Sequence, residues 1–434
     1  MKHSPLKVNV VSMGCFKNLV DSEQLLRRLE KAGVDAVHDS AAADADVVVI
    51  NTCGFIGDAK EESIGAILEA CSLKQSGRVG AVYVMGCLSE RYAREMPAEI
   101  PEVDGWYGKF DWDGIVDRIA ATREKPAHAW ERRLTTPPHH AYIKIAEGCN
   151  RFCAFCAIPL ITGRYVSRPV DDILAEVTDL AAKGVREFNV IAQDLSYYGR
   201  DLYGRSALAE LIDKMARIAG VDWIRLHYAY PADFPYEVLP VMARHKNVCK
   251  YLDIALQHID DTVLQNMHRH IDAAETIALL QRIRREVPGI HIRTTLMVGF
   301  PGETDEAFAR LLDFVRCQRF ERMGAFAYCE EDDTRAAAEF TDEIPQEVKE
   351  RRLDRLMALQ EEISLELNTA KVGKIMRVMI DREDSDYFIA RSEFDSPEVD
   401  PEILVVKSRE LTPGRFAEVR ITQAMPYELI AEIV

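Results

Sequence analysis

The sequence predicts an α/β protein in three parts: a Rossmann-like α/β domain, a partial (β/α)6 barrel of the TIM type, and a small antiparallel β-barrel. Three observations predict it. β-branched runs that are apolar on both faces alternate with helical patterns near the N-terminus. Six more strand–helix alternations follow a proline break. The last sixty or so residues are short alternating strands. At 434 residues the chain is too long for one ordinary domain. We place the boundaries at 1–132, 133–370 and 371–434.

In the first part, strands are expected at Lys7–Val11, Asp46–Ile50 and Val79–Met85, with helices at Asp21–Lys31 and Asp58–Leu73. Runs apolar on both faces suit a parallel sheet covered by helices. Sites in such sheets form beyond the carboxyl ends of the strands. Cys15, Cys53 and Cys87 lie at three such ends, in MGCFKN, NTCGF and MGCLSE. Each strand can aim one thiol at a shared point.

ERRLTTPPHH, Glu131–His140, interrupts any regular element. Six strands follow, at Ala141–Ala146, Glu187–Ala192, Trp223–Tyr228, Tyr251–Leu256, His291–Val298 and Met323–Tyr328. Helices are expected at Val170–Lys183, Leu208–Ala219, Thr262–Val287 and Asp305–Arg319. In a barrel of this kind, chemistry belongs on the loops after the strands. A charged amphipathic helix, Pro345–Leu367, precedes Gly373, and five alternating segments then run from Lys374 to the end.

The balance of 54 basic and 71 acidic residues, net −17, gives no general attraction to phosphate backbones and favours a basic partner. No apolar run approaches the roughly 18 residues of a membrane span. The residues before Ser12–Cys15 lack the apolar region of a signal peptide. A cytoplasmic chain follows, in which ten cysteines are metal ligands or buried thiols more readily than disulfides.

EGCNRFCAFCAIP is the strongest local signal. Cys149, Cys153 and Cys156 form a C-x3-C-x2-C array directly after the first barrel strand. Three thiolates on one tight loop can hold three irons of a four-iron, four-sulfur cluster, leaving one iron open. The alternative, a structural zinc knuckle, wants a closed four-ligand shell, and the local sequence supplies no obvious fourth ligand.

This array and GFPGE, Gly299–Glu303, resemble the radical S-adenosylmethionine (SAM) superfamily. With the preceding GCFKNLVDSE, NTCGF and GCL, and a terminal barrel similar to the OB-like TRAM domain, the whole chain resembles the radical SAM methylthiotransferases. MGCFKNLVDSE, DWDGIV (Asp111–Val116), LHYAYP (Leu226–Pro231) and SEFDSPEVD (Ser392–Asp400) are most similar to the RimO type. That type methylthiolates an aspartate β-carbon of small-subunit ribosomal protein twelve. The resemblance implies two [4Fe-4S] clusters, one on Cys149, Cys153 and Cys156 and an auxiliary one on Cys15, Cys53 and Cys87. It also implies SAM, and an electron donor such as flavodoxin or ferredoxin. The chain departs from the family's usual text at Phe16, Val166 and Ala255, none of them a proposed ligand.

Two sister types modify tRNA adenosines, so tRNA is the rival acceptor. From Lys371 onward there are nine Lys/Arg and thirteen Asp/Glu, whereas a tRNA-gripping barrel should be basic along one face. An acidic one suits a basic ribosomal protein. A rival of another class is a non-catalytic iron–sulfur or zinc protein that carries electrons or binds a partner.

By analogy with the superfamily, Gln193, after the second barrel strand, is a candidate SAM contact, with Asp194 beside it; a loop-capping pair is the plain alternative. Arg225 and His227 share one face of strand three and are candidate substrate or SAM contacts, set against a satisfied buried pair. Gln257 and His258 end strand four and can line the pocket. Gly299 and Gly302 would let backbone approach adenosine, set against a simple strand-to-helix turn with Thr304 as N-cap. Cys71, Cys249, Cys317 and Cys329 lack ligand spacing, and the acidic run 330–333 reads as solvated.

Overall fold

The computed structural model describes residues 6–40, 45–120 and 125–434. They fall into two compact units. The first comprises Met1–Thr135, Glu147–Asn150 and Cys156–Tyr165; the second comprises Thr136–Ala146, Arg151–Phe155 and Val166–Val434.

In the first unit, β1 (Lys7–Ser12), β2 (Asp35–His38), β3 (Val47–Thr52), β4 (Ala81–Gly86) and β5 (Gly105–Trp106) form one parallel sheet in the order β2-β1-β3-β4-β5. This is the doubly wound order whose switch point lies between β1 and β3. Alternation along the strands builds two cores. Val47 and Val49 pack with Leu25, Leu26 and Leu29 of α1 (Phe16–Lys31), whereas Val48 and Ile50 pack with Ile67 of α2 (Gly57–Gln75). β1, β3 and β4 stand where the sequence predicts strands, whereas β2 and β5, at four and two residues, carry too little periodicity to be predicted. The sequence predicts α1 from Asp21. The helix starts five residues earlier, because Lys17, Asn18, Asp21, Ser22 and Glu23 turn a polar stretch inward.

In the second unit, six parallel strands stand in sequence order as an open sheet: β6 (His140–Lys144), β7 (Glu187–Ile191), β8 (Trp223–Ala229), β9 (Val248–Ile254), β10 (His291–Val298) and β11 (Arg322–Ala327). All six were expected. The single helix expected at Thr262–Val287 is two, Asp261–Asn266 and Ala273–Glu286. Asp272 restarts the helix through a capping box with Glu275, a signature present in the text but overridden by the apolar periodicity. After helix α4 (Gln346–Thr369), strands β12 (Ile375–Glu383), β13 (Tyr387–Ser392), β14 (Glu402–Val406), β15 (Phe416–Ala424) and β16 (Glu428–Ile433) close a barrel in the order β12-β13-β14-β16-β15. Closure removes the exposed edges.

The segment after β13 is tied to residues near the amino-terminal ends of the six-stranded sheet. Phe394 stacks on His291 with centroids 4.1 Å apart, Arg322 pairs with Asp395, and Tyr251 donates to Asp400 Oδ2 at 2.7 Å. That leaves the opposite, carboxyl ends for chemistry. Among the described residues no helix is long and apolar enough to cross a membrane.

Candidate metal and cofactor centre

Three loops of the first unit deliver the N-terminal thiols. Cys15 follows β1 at the N-cap position of α1, Cys53 follows β3, and Cys87 opens the short helix α3 (Cys87–Arg91) directly after β4. All three therefore sit at or beside the switch point. A glycine adjoins each of them. A Cβ on Gly14 would lie 2.8 Å from Cys53 Sγ, and one on Gly54 would lie 2.7 Å from Leu88 N. One on Gly86, where φ is +100°, would strike Asn51 Oδ1 and the Thr52 backbone. The loops thus approach closely only because these side chains are missing. Gly86→Ala is expected to cost roughly 1–3 kcal/mol of strain and to lower iron retention at this site; thermal unfolding and iron per chain measure both.

Asn18 stitches the same loops. Its Nδ2 donates to Thr52 O at 2.8 Å and Met13 O at 3.1 Å, Asn51 Nδ2 donates to Asn18 O at 2.9 Å, and Cys87 Sγ lies 3.6 Å from Asn18 Oδ1. Burial raises the Cys53 thiol and pushes Cys87 up to about 12. Such thiols bind metal by exchanging their proton for it. The Lys109 ammonium, 1% exposed, opposes the rise at Cys87; it stands 3.6 Å from Asp21 and 3.5 Å from Glu147. Sequence reasoning missed both Asn18 and Lys109. The polar stretch KNLVDSE inside an otherwise apolar helix pattern was the available signal for Asn18; a lone lysine gave none.

The donor set is soft sulfur, which suits iron–sulfur chemistry. Among the described residues no three His, Cys, Asp or Glu side chains stand close enough to share one metal ion. A single tetrahedral ion would need sulfurs about 3.8 Å apart. A cubane places its three protein sulfurs on three different irons and tolerates wider spacing.

Cys149, Cys153 and Cys156 lie within eight residues of chain. Cys149 and Cys156 belong to the first unit. There Cys149 N donates to Gly163 O at 3.2 Å, Tyr165 N donates to Asn150 Oδ1 at 3.1 Å, and Ala157 and Ile161 pack on Cys87. The chain just after Cys156 thus meets Cys87. Cys153 belongs to the second unit, where its loop is pinned. Arg151 Nε donates to Asp194 at 2.6 Å, Ala154 N donates to Met267 O at 3.0 Å, and Ala336 N donates to Ala154 O at 2.7 Å.

Gln193 is half-buried just beyond β7. Asp194 caps the turn that follows it, accepting from Ser196 N at 2.8 Å. Gln257, beyond β9, has φ +71° and a buried side-chain oxygen with no hydrogen-bond partner. A left-handed non-glycine residue holding an unpaired polar atom at the carboxyl ends of the strands fits a ligand contact. Neighbouring His258 is buried, with Nε2 unpartnered, and burial pushes it down to about 4.

Four of the candidate contacts have close protein neighbours of their own. Arg225 is fully buried, 3.1 Å from Glu187 and 2.6 Å from Glu393 O, so it secures the segment after β13. His227 lies 3.3 Å from Asn189 Oδ1 and 3.4 Å from Ser396 Oγ on the same side. The room above Gly299 is filled by the aliphatic chain of Lys349, and that above Gly302 by Asn266 Nδ2. GFPGE is the strand-to-helix turn, with Thr304 accepting from Ala307 N at 3.2 Å. Cys71 and Cys249 are buried and Cys317 and Cys329 exposed; of the acidic run only Glu331 is buried.

The sequence matches the radical SAM superfamily over residues 143–315, the uncharacterized protein family UPF0004 over 7–108 and the TRAM domain over 372–434. It is 56% identical to the ribosomal protein uS12 methylthiotransferase RimO of Phocaeicola vulgatus, covering 98% of this chain and 99% of the relative. It is 55% identical to that of Bacteroides fragilis over the same shares. Among solved structures, the fold is similar to the radical SAM methyltransferase TsrM of Kitasatospora setae, with TM-score 0.54 and 17% identity over 74% of this chain and 73% of that one.

Proposed function

The chain belongs to the ribosomal protein uS12 methylthiotransferase family, and from that membership we infer that its acceptor atom is the β-carbon of an aspartate in uS12. It is a SAM-dependent transferase that works with [4Fe-4S] clusters. Bound iron–sulfur and SAM supply the one-electron chemistry that an unactivated C–H bond demands.

The chain's own residues do the rest. Cys149, Cys153 and Cys156 hold one cluster; Cys15, Cys53 and Cys87 hold the auxiliary one. The single observation that carries the two-cluster reading is the delivery of three thiols, each beside a glycine, to the switch point of the first sheet. Gln257 and Gln193 orient SAM at the carboxyl ends of β9 and β7. The Arg151–Asp194 pair fixes the loop that carries Cys153. Lys109 supplies positive charge beside Cys87. Burial of Cys53, Cys87, Cys149 and Cys153 keeps bulk water from the ligand atoms. We place the functional domains at 1–132, 133–370 and 371–434, the chain in the cytoplasm, and its electrons in a low-potential flavodoxin or ferredoxin.

Incubating the reduced, reconstituted enzyme with SAM and either uS12 or tRNA tests the acceptor. A methylthio mass gain on an aspartate-containing peptide of uS12, with tRNA unchanged, is expected. Gain on tRNA alone refutes the reading.

A further inference from the structure

The geometry points to Arg269 as the built-in counter-charge of the cluster held by Cys153, a positioning residue that raises that cluster's reduction potential through an N–H···S hydrogen bond. This rests on the reading of Cys153 as a cluster ligand.

Arg269 Nη1 lies 3.3 Å from Cys153 Sγ, and its Nη2 donates to Ala255 O. The guanidinium covers the Tyr230 ring at 4.1 Å. Tyr230 Oη, itself 3.7 Å from the same sulfur, donates to Arg269 O at 2.9 Å. The tyrosine proton is thereby committed to a carbonyl, and the donor to sulfur is the arginine.

The charge balance singles this residue out. The other buried arginines each have a carboxylate: Arg132 has Glu23, Arg151 has Asp194, Arg225 has Glu187, Arg322 has Asp395, Arg352 has Asp305 and Arg391 has Glu187. Arg269, 2% exposed, has no carboxylate at ion-pair distance among the described residues, and its Nε has no partner. A buried guanidinium is costly without an anion. The group in contact with it is a sulfur, which becomes anionic on ligating iron. The backbone is strained to place it: His268 and His270, either side, are left-handed at φ +56° and +52°.

Reduction adds one electron from a low-potential donor and one negative charge to the cluster. No protein bond breaks and no proton moves, because arginine keeps its charge. A fixed cation on a ligand sulfur favours the reduced form.

The test is a redox titration of the full-length holoenzyme, following the paramagnetic signal that responds to SAM. Arg269→Met is expected to lower the reduced-to-oxidised ratio about tenfold at fixed potential, about 59 mV for one electron. Arg269→Lys should fall between, and Tyr230→Phe should shift less. An unshifted potential in an Arg269→Met protein with full iron overturns the inference. If that variant sheds its cluster, Arg269→Gln, which keeps an N–H donor but no charge, takes its place in the titration, and an unshifted potential there overturns the counter-charge. Failure of the underlying reading looks different: Cys153→Ala would then keep full iron and the SAM-responsive signal.

Discussion

Replacing Cys149, Cys153 and Cys156 together by alanine is expected to reduce SAM cleavage to background while half of the iron stays bound. The two sets of cysteines sit on separate loops. Cys15, Cys53 and Cys87 are held by the strand ends of β1, β3 and β4 and by the Asn18 and Asn51 bonds, none of which involves a replaced side chain. Contact between the Cys156 segment and Cys87 runs through Ala157 and Ile161, which remain. Cysteine and alanine are close in size, so the buried positions 149 and 153 lose little packing, and the fold should survive. The measurement is iron per chain beside 5′-deoxyadenosine release. Loss of all iron would contradict independent sites, and retention of all of it would mean that the array holds no iron. A matched Cys15/Cys53/Cys87→Ala protein should do the reverse, keeping SAM cleavage while losing methylthio transfer.

What the sequence disclosed depended on how local the signal is. C-x3-C-x2-C needs only eight residues, and the strand-end cysteines are marked by β-branched runs that report burial on both faces. Both features are covalently close to what they announce. Arg225 and His227 stay ambiguous in the sequence because alternation fixes a face but not the partner. Their partners, Glu393 and Ser396, lie more than 160 residues away and arrive only when the terminal barrel packs. The glycines of GFPGE were ambiguous for a related reason: a missing Cβ says that something comes close, and here the close atoms belong to Lys349 and Asn266. Lys109 and Arg269 carried no periodic or motif signal, and Arg151 and Tyr230 lie inside EGCNRFC and LHYAYP without those motifs announcing their partners. A buried cation is recognised by what surrounds it, and that information is tertiary.

Glu187→Gln should destabilise the second unit by about 3–5 kcal/mol, the cost of breaking a buried ion pair by removing one partner. Glu187 is fully buried on β7 and accepts from Arg391 at 2.8 and 3.1 Å, with Arg225 at 3.1 Å. Arg391 also grips Asp381 at 2.6 Å, and Asp381 lies 2.8 Å from His139. One carboxylate therefore balances two cations, from the six-stranded sheet and from the closed barrel. Neutralising it leaves Arg225 without its carboxylate and Arg391 with Asp381 alone, and loosens the segment after β13. Burial alone would raise the Glu187 carboxyl, but Arg391 and Arg225 outweigh it and hold the group down to about 2 from an ordinary 4.5. Linkage puts the associated stabilisation at about 3 kcal/mol. Because the folded value is depressed, that stabilisation is complete above about 4.5 and is lost as pH falls from there through about 2. Glutamine does not titrate, so the stability gap between wild type and variant should be full at pH 7 and shrink as the solution is acidified across that window. Urea unfolding at several pH values, read from Trp223 beside Arg225 and Phe416, measures it. Cutting the exposed Arg382–Glu402 pair with Arg382→Met is the control, expected to cost about 0–1 kcal/mol. A gap that stays constant with pH would mean that Glu187 stabilises by shape and hydrogen bonding, and that its charge contributes nothing.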